Sequence, residues 1–158
     1  MDNMENLIAR SPKEKSVYKY ILPIVEKDEF ELVRIKTLEK SEQTLQIMID
    51  HKDRPLTVED CATISRKISY ELDKINLLED EYHLEISSPG LDRPLTRLKD
   101  FNHWTGHRAI IKQKDPDLGI SKLEVVLVGV VNSDLQVSLK DKIHHIMICN
   151  IEEAQLVA

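Results

Sequence analysis

The sequence is poor in the residues from which many enzymatic and metal sites are built. Its 158 residues include four glycines, two cysteines and only 4% aromatic residues. Four glycines without a glycine-rich array cannot form the usual phosphate-binding loop of nucleotide enzymes. Cys61 and Cys149 have no CxxC spacing, so they predict no zinc site. Each lies in an apolar pattern, which is typical of a buried thiol in a reducing compartment.

Long hydrophobic stretches are also missing. No apolar run approaches the ~20 residues that a helix needs to span a bilayer. The first ten residues, MDNMENLIAR, lack the basic start and the apolar core of a signal peptide. We therefore expect a cytoplasmic protein with no membrane partner.

Negative charge is in excess, but only in the first half of the chain. Residues 1–91 contain 13 Lys and Arg against 19 Asp and Glu, whereas residues 92–158 contain nine of each. An acidic chain repels naked nucleic acid at long range, because phosphate contacts dominate that affinity. The first half is therefore expected to suit a basic protein partner. The alternative is that its acidity only maintains solubility.

Apolar periodicity in residues 1–91 predicts a domain with the order α-β-β-α-β. Capping-box patterns at Ser11 and Thr57 predict the starts of two helices. Pro23, inside the first helical pattern, predicts a kink or an early end. Two helices can then cover one face of a three-stranded sheet. The alternation of apolar and polar residues predicts its strands over residues 30–38, 44–50 and 82–87.

Residues 92–158 predict several short strands and no helix. Gly129 lies inside a long apolar strand and suggests a bend or a bulge. Such a set of strands is typical of a small β-barrel that closes its own edges. His103 and His107 flank Trp104, where they either stack on bases or cover the end of the barrel. The sequence thus predicts an α+β protein with domains at residues 1–91 and 92–158.

The reactive residues do not form a catalytic or metal-binding pattern. His144 and His145 are adjacent on a strand and point to opposite faces, so they cannot easily share an ion. His83 and Ser87 share a strand face but lie roughly 13 Å apart along it. A nucleophile and its base need about 3 Å. We therefore predict no catalytic residue, no metal site and no cofactor.

The most distinctive segment, YHLEISSPGLDRPL, joins the two halves at residues 82–95. A strand pattern ends at Ser87, and Ser-Pro-Gly then stops it; Gly90 is a candidate for a positive φ. Arginines on such a stiff turn offer a bidentate fork for phosphate or carboxylate. The alternative is that Asp92 and Arg93 hold the two domains at a fixed angle. The candidate partner-binding residues are Ser88, Pro89, Gly90, Leu91, Asp92, Arg93, Pro94, Arg97 and Arg108.

The run SSPGLDRPL closely resembles an element of the ribosome maturation factor RimP family. The segment ILPIVEKDEFELVRIK is similar to the family's first helix and strand, and DCATISRKISYELD to its second helix. Glu29 departs from the pattern, because the family commonly has glycine there. In the second half the resemblance is looser and is carried by Gly106, Gly129 and the segment IEEAQLV. The resemblance implies an SH3-like or Sm-like β-barrel in residues 92–158.

The resemblance also implies a function. It suggests a bacterial, non-catalytic factor that binds the free small ribosomal subunit and assists its late assembly. The implied partners are a basic small-subunit ribosomal protein near the decoding centre and rRNA in that context, and we expect the factor to be a monomer. The alternative is a small Sm-like RNA-binding regulator, which would usually form a ring and expose a basic face.

Overall fold

The computed structural model describes residues 5–39, 42–78, 81–115 and 119–158. The chain divides into two compact units. The first unit is Ile8–Pro89, and the second is Gly90–Ala158 together with the N-terminal segment that ends at Leu7. The assignment of domains to residues 1–91 and 92–158 stays a prediction. No helix in the described ranges is long and apolar enough to cross a membrane.

The first unit follows the predicted order of helices and strands. After a short helix α1 (Glu5–Ile8), the elements are α2 (Pro12–Lys27), β1 (Phe30–Glu39), β2 (Gln43–His51), α3 (Val58–Ile75) and β3 (His83–Ser87). The central strand β2 pairs antiparallel with β1 and parallel with β3, which gives the sheet order β1-β2-β3. The parallel pair is possible because α3 forms the crossover between β2 and β3.

One face of this sheet carries the core of the first unit. The register places Ile35 beside Ile47 and Ile47 beside Ile86, so that their side chains share a face. Helix α2 packs against β1 and α3, and α3 also packs against β3. The helices contribute a fully buried stripe of aliphatic residues: Val17, Ile21 and Val25 from α2, and Ile64, Ile68 and Leu72 from α3.

A β-bulge explains why the first strand does not alternate regularly in sequence. The register of β1 against β2 shifts between Leu32 and Arg34. Leu32 and Val33 are consecutive and yet both buried, which a regular strand on one core face does not allow. The extra residue of the bulge accommodates the second apolar side chain.

A buried carboxylate fastens α2 to β1. Glu14 accepts a hydrogen bond from the backbone N–H of Ser11 at 3.0 Å, which closes the predicted capping box. Its other oxygen accepts from the backbone N–H of Thr37 at 2.8 Å and from the Thr37 hydroxyl at 3.0 Å. Burial raises the pKa of this carboxyl, but the hydrogen bonds from Ser11, Thr37 and Arg10 outweigh it. The pKa of Glu14 therefore lies below its ordinary value.

Helix α2 continues through Pro23, and a residue with a positive φ follows its C-cap. The helix extends to Lys27, so an early end at the proline is wrong. Glu29 follows with a φ of 65°, and its N–H donates to the carbonyl of Glu26 at 3.1 Å. A left-handed residue just after a helix is the usual place for glycine. The departure from the family pattern noted in the sequence is therefore a residue with an unfavourable backbone conformation.

The second unit is built on an antiparallel five-stranded sheet. Its elements are α4 (Leu98–His103), β4 (Arg108–Asp115), β5 (Gly119–Val131), β6 (Asp134–Leu139), β7 (Lys142–Met147), a short 3-10 helix (Ile148–Asn150) and β8 (Ile151–Leu156). The strand order is β7-β6-β5-β4-β8. Among the described residues no pairing joins β7 to β8, so a closed barrel is not found and the predicted SH3-like barrel is not confirmed.

Two local features of this unit bear on the sequence predictions. The predicted irregularity at Gly129 is confirmed, because the register of β5 against β6 shifts between Leu127 and Gly129. The prediction of no helix is wrong, because α4 forms one short helix. The core comprises alternate residues of β4, β5, β6 and β8 together with Phe101 of α4. Leu7 from the N-terminal segment also belongs to this core.

Replacing Glu29 with glycine is expected to stabilise the protein. Glycine removes the Cβ that makes a left-handed conformation costly, and the gain should be about 1 kcal/mol in the free energy of unfolding. Urea denaturation measures it. The control is Glu26→Gly in the last turn of α2, which should destabilise by about 1 kcal/mol. A loss of stability in Glu29→Gly would contradict the assigned backbone conformation.

Candidate functional site

The predicted site residues lie in both units. Ser88 and Pro89 follow β3 at the end of the first unit, with Ser88 exposed and Pro89 half-buried. The remaining seven belong to the second unit. Within the second unit, residues 90–94 form an entry segment, Arg97 precedes α4, and Arg108 begins β4.

The entry segment runs beside β8. Pro94 forms an isolated antiparallel bridge with Gln155. The N–H of Leu156 donates to the carbonyl of Arg93 at 2.9 Å, and the N–H of Leu95 donates to the carbonyl of Ala154 at 2.8 Å. These bonds anchor residues 93–95 along the sheet edge. In front of them Asp92 is exposed, and 85% of the Leu91 surface is exposed.

Gly90 does not adopt the positive φ for which it was a candidate. The glycines with positive φ are Gly106 and Gly129. A Cβ added to Gly90 would meet no heavy atom within 4 Å. Neither backbone strain nor crowding therefore requires glycine at this position.

Arg97 forms a tight pair with a buried carboxylate. Its Nη2 donates to Oδ1 of Asp100 at 2.8 Å, and its Nε donates to Oδ2 at 3.0 Å. The backbone N–H groups of Thr96 and Arg97 also donate to Oδ2, at 3.1 and 3.2 Å. The side chains of Arg97 and Asp100 are only 14% and 5% exposed. The network holds the start of α4, and the partner-binding role of Arg97 stays a prediction.

The end of α4 positions the single tryptophan of the chain. The N–H of Trp104 donates to the carbonyl of Asp100 at 3.1 Å, and the N–H of His107 donates to the carbonyl of Trp104 at 3.0 Å. The rings of His103 and His107 meet the Trp104 ring edge to face, with centroids 4.8 and 5.2 Å away. Gly106, with a φ of 91°, donates to the carbonyl of Leu127 at 2.8 Å and ties this turn to β5.

The entry segment and this turn enclose a cavity of about 270 Å³ in the second unit. We call it the Trp104 pocket. Its walls combine aliphatic and aromatic side chains with one arginine and one histidine, a composition typical of sites that receive an apolar group and orient it through a few polar contacts. Its lining residues are Gly90, Leu91, Arg93, Trp104, His107, Leu156 and Val157.

The pocket brings together part of the predicted site and adds residues that the sequence left open. Gly90, Leu91 and Arg93 were predicted as site residues, and the structure places them beside Trp104. His107 and Trp104 are neighbours in the sequence but were not among the predicted site residues. The pairing of β4 with β8 places Leu156 beside Ala109, just after the turn that carries Trp104. Sequence alone gives no signal for this long-range pairing.

Arg108 lies outside the Trp104 pocket, on the outer face of the sheet. Its Nη1 is 3.6 Å from Oε1 of Glu124, and 63% of its side chain is exposed. Such an exposed pair contributes little to stability, so Arg108 is available for a partner at small cost. Its role in binding stays a prediction.

The described residues contain no group of three or more side chains suited to hold a metal ion. His144 and His145 are both exposed on β7, where they lie opposite Val137 and Gln136 of β6. Adjacent residues of a strand point to opposite faces, so the two imidazoles do not converge on one ion.

The two cysteines are less buried than their apolar surroundings in the sequence suggest. Cys61 is half-buried on α3, and Cys149 is exposed in the 3-10 helix before β8. Both are free thiols. The expectation of two buried thiols is therefore wrong. Cys61 lies in the first turn of α3, before the buried residues of that helix begin at Ile64, and Cys149 follows the buried Ile148 in the 3-10 helix.

The fold and the Trp104 pocket define a small two-unit α+β protein whose candidate site is suited to binding. Residues 20–92 match the model of the RimP N-terminal domain. The match extends from α2 through β3 and ends at Asp92, inside the SSPGLDRPL run. This part of the chain therefore matches a domain of the RimP family, the family that the resemblance predicted. RimP proteins are a non-catalytic family of ribosome maturation factors that act with ribosomal particles.

Replacing Arg97 with alanine is expected to destabilise the second unit. The change leaves the buried Asp100 carboxylate without its guanidinium, at a cost of about 2–4 kcal/mol. Thermal denaturation measures this effect. The matched control is Arg108→Ala, whose exposed pair should cost less than about 1 kcal/mol. Equal melting temperatures for the two variants would show that the Asp100 network does not hold the fold.

Proposed function

We propose that this protein is a ribosome maturation factor that binds the free small ribosomal subunit and assists its late assembly without catalysis. It acts in the cytoplasm as a monomer. The carrying observation is the match of residues 20–92 to the RimP N-terminal domain, which ends within the SSPGLDRPL run. The second unit is proposed as the family's SH3-like domain. Its antiparallel sheet and the 3-10 helix before its last strand support this assignment.

The proposed protein partner is a basic small-subunit ribosomal protein near the decoding centre. The excess of carboxylates in residues 1–91 supports this choice, because opposite charge accelerates encounter. A factor that binds one conformation of an assembling particle biases assembly only by its differential affinity for that conformation. Release follows when the particle leaves the state that the factor prefers.

The Trp104 pocket is the proposed contact for an apolar side chain of that ribosomal protein. Leu91 stands exposed at its edge and Trp104 forms part of its wall. Binding energy at protein interfaces concentrates at aromatic and aliphatic anchors in small pockets that exclude water. Arg93 and His107 also line the pocket, beside the position of the anchor.

Co-sedimentation of tagged protein with cell extract tests the proposed function. We expect the protein to follow free small subunits and to be depleted from large subunits and translating ribosomes. Cells without it should accumulate precursor small-subunit rRNA, most strongly under heat or cold. Equal association with all ribosomal fractions would contradict an assembly role. Elution of the protein as a large ring in size analysis would favour the Sm-like RNA-binding regulator.

Replacing Leu91 with alanine is expected to weaken binding to free small subunits without changing stability. The smaller apolar side chain should cost about 1–2 kcal/mol in binding free energy. Because 85% of Leu91 is exposed, the melting temperature of the variant should match that of the parent. The control is Val58→Ala at the start of α3, where 87% of the side chain is exposed. Equal affinity of both variants for free small subunits would remove the Trp104 pocket from the interface.

A further inference from the structure

A basic surface lies on the outer face of the second unit, separate from the Trp104 pocket. On β4, Ala109 and Ile111 are buried, so the residues between and after them lie on the opposite face. Lys112 and Lys114 are on that outer face. The pairing of β4 with β5 adds Lys122, which stands directly opposite Lys112. We call Lys112, Lys114 and Lys122 the lysine surface.

The register brings two like charges into close opposition. Directly opposed residues of an antiparallel pair have Cβ atoms about 5 Å apart. Lys114 is two residues further along β4, roughly 7 Å from Lys112. Opposed like charges destabilise a sheet. The chain nevertheless places lysines at both positions, and an anion bound between them would turn this repulsion into attraction.

The neighbouring carboxylates do not neutralise this surface. Glu153 of β8 stands opposite Lys112 on its other side and is the acidic residue nearest to it in the register. Glu124 of β5 forms an ion pair with Arg108, in which its Oε1 lies 3.6 Å from Nη1 of the arginine. The three lysines and Glu153 together carry a local net charge of +2, in a half of the chain that is neutral as a whole. The surface complements a polyanion.

The surface also has a recess. A cavity of about 180 Å³ opens between β5, β4 and β8. The two opposed lysines line it together with the carboxylate of Glu153. Ile110 and Ala154 form its apolar part, and Gln155 adds an amide. Flexible ammonium groups that line a shallow recess can close on a phosphate from two sides.

We propose that the lysine surface binds the phosphate backbone of rRNA in the assembling small subunit. The inference rests on the proposed function, in which the protein binds the assembling small subunit. It adds the residues that would contact the RNA of that subunit. Lysine is a point charge without the planar fork of arginine, so the contact positions the protein on the backbone and reads no base. An acidic protein is the other polyanion that could meet this surface. The phosphate backbone is favoured because three lysines spread over two strands match a continuous line of charge.

The test uses the full chain, purified free small subunits and protein-free small-subunit rRNA as probes. The variant Lys112→Gln/Lys122→Gln should bind free small subunits roughly tenfold more weakly at low salt. The slope of log K against log salt should fall by about 2, because each lysine neutralises about one phosphate. Binding of the parent to protein-free rRNA should be weaker, and the variant should reduce it in the same manner. Lys112→Arg/Lys122→Arg should retain the parent's salt slope.

The matched control is Lys140→Gln/Lys142→Gln, which removes two exposed lysines from the β6–β7 turn of the same unit. Its salt slope should change by much less than that of the Lys112 and Lys122 variant. Equally weakened binding in the two variants would mean general attraction and would overturn the proposal. Weaker binding to intact subunits but not to protein-free rRNA would assign the surface to an acidic protein and would also overturn it. Lys112→Gln/Lys122→Gln should melt at or above the parent's temperature, because it removes the repulsion between the two opposed lysines.

The outcomes separate this inference from the function on which it rests. A parent protein that binds no free small subunits contradicts both. A parent that binds them, while Lys112→Gln/Lys122→Gln binds with the same affinity and salt slope, overturns the lysine surface alone.

Discussion

The geometry of the candidate site depends on the buried carboxylate of Asp100. Removing a carboxylate from water costs several kcal/mol unless its oxygens are hydrogen-bonded and its charge is compensated. Asp100 meets both conditions through two backbone N–H groups and the fork of Arg97. The same network starts α4, and the carbonyl of Asp100 accepts the N–H of Trp104 at its other end. One residue therefore connects Thr96 and Arg97, just after the entry segment, to Trp104 in the wall of the pocket. This is also why Arg97, a candidate for contact from its charge, is so little exposed.

Glu14 follows the same physical rule in the first unit. In both cases a short-range pattern, an acidic residue three positions after a helix cap, is present in the sequence. For Glu14 the pattern predicted the helix start correctly. It could not predict the second set of bonds to Thr37, 23 residues away. A capping carboxylate can also fasten a helix to a strand, but only when the fold brings that strand close to it. The sequence around the carboxylate does not predict this contact.

The local features of the fold could likewise be predicted from the sequence, whereas its long-range contacts could not. Alternation and capping predicted α2, α3 and the three strands of the first unit, and the SSPGLDRPL run predicted the family whose N-terminal domain model matches residues 20–92. The errors concern backbone detail and long-range pairing. Glu29 has a positive φ, and Gly90 does not. The position that follows the end of α2 requires a left-handed residue, whatever the residue type. Leu156 and Val157 were missed as parts of the Trp104 pocket because only the pairing of β8 with β4 brings them there. The lysine surface was missed because Lys112 and Lys122 meet only through the register of β4 and β5.

Strand β8 connects the two proposed contacts of the second unit. Its end lines the Trp104 pocket at Leu156, while Glu153 and Gln155 border the recess beside the lysines. A ribosomal protein held in the pocket and an RNA backbone held by the lysines would therefore lie close together on one rigid sheet. When two weak contacts are linked in this way, the second forms at high effective concentration, and it does so only if both ligands occupy the right places. A particle that lacks the RNA, or that holds it at another position relative to the ribosomal protein, can form only one of the two contacts. Such a surface binds tightly to one arrangement of the two components, which is the differential affinity that an assembly factor requires.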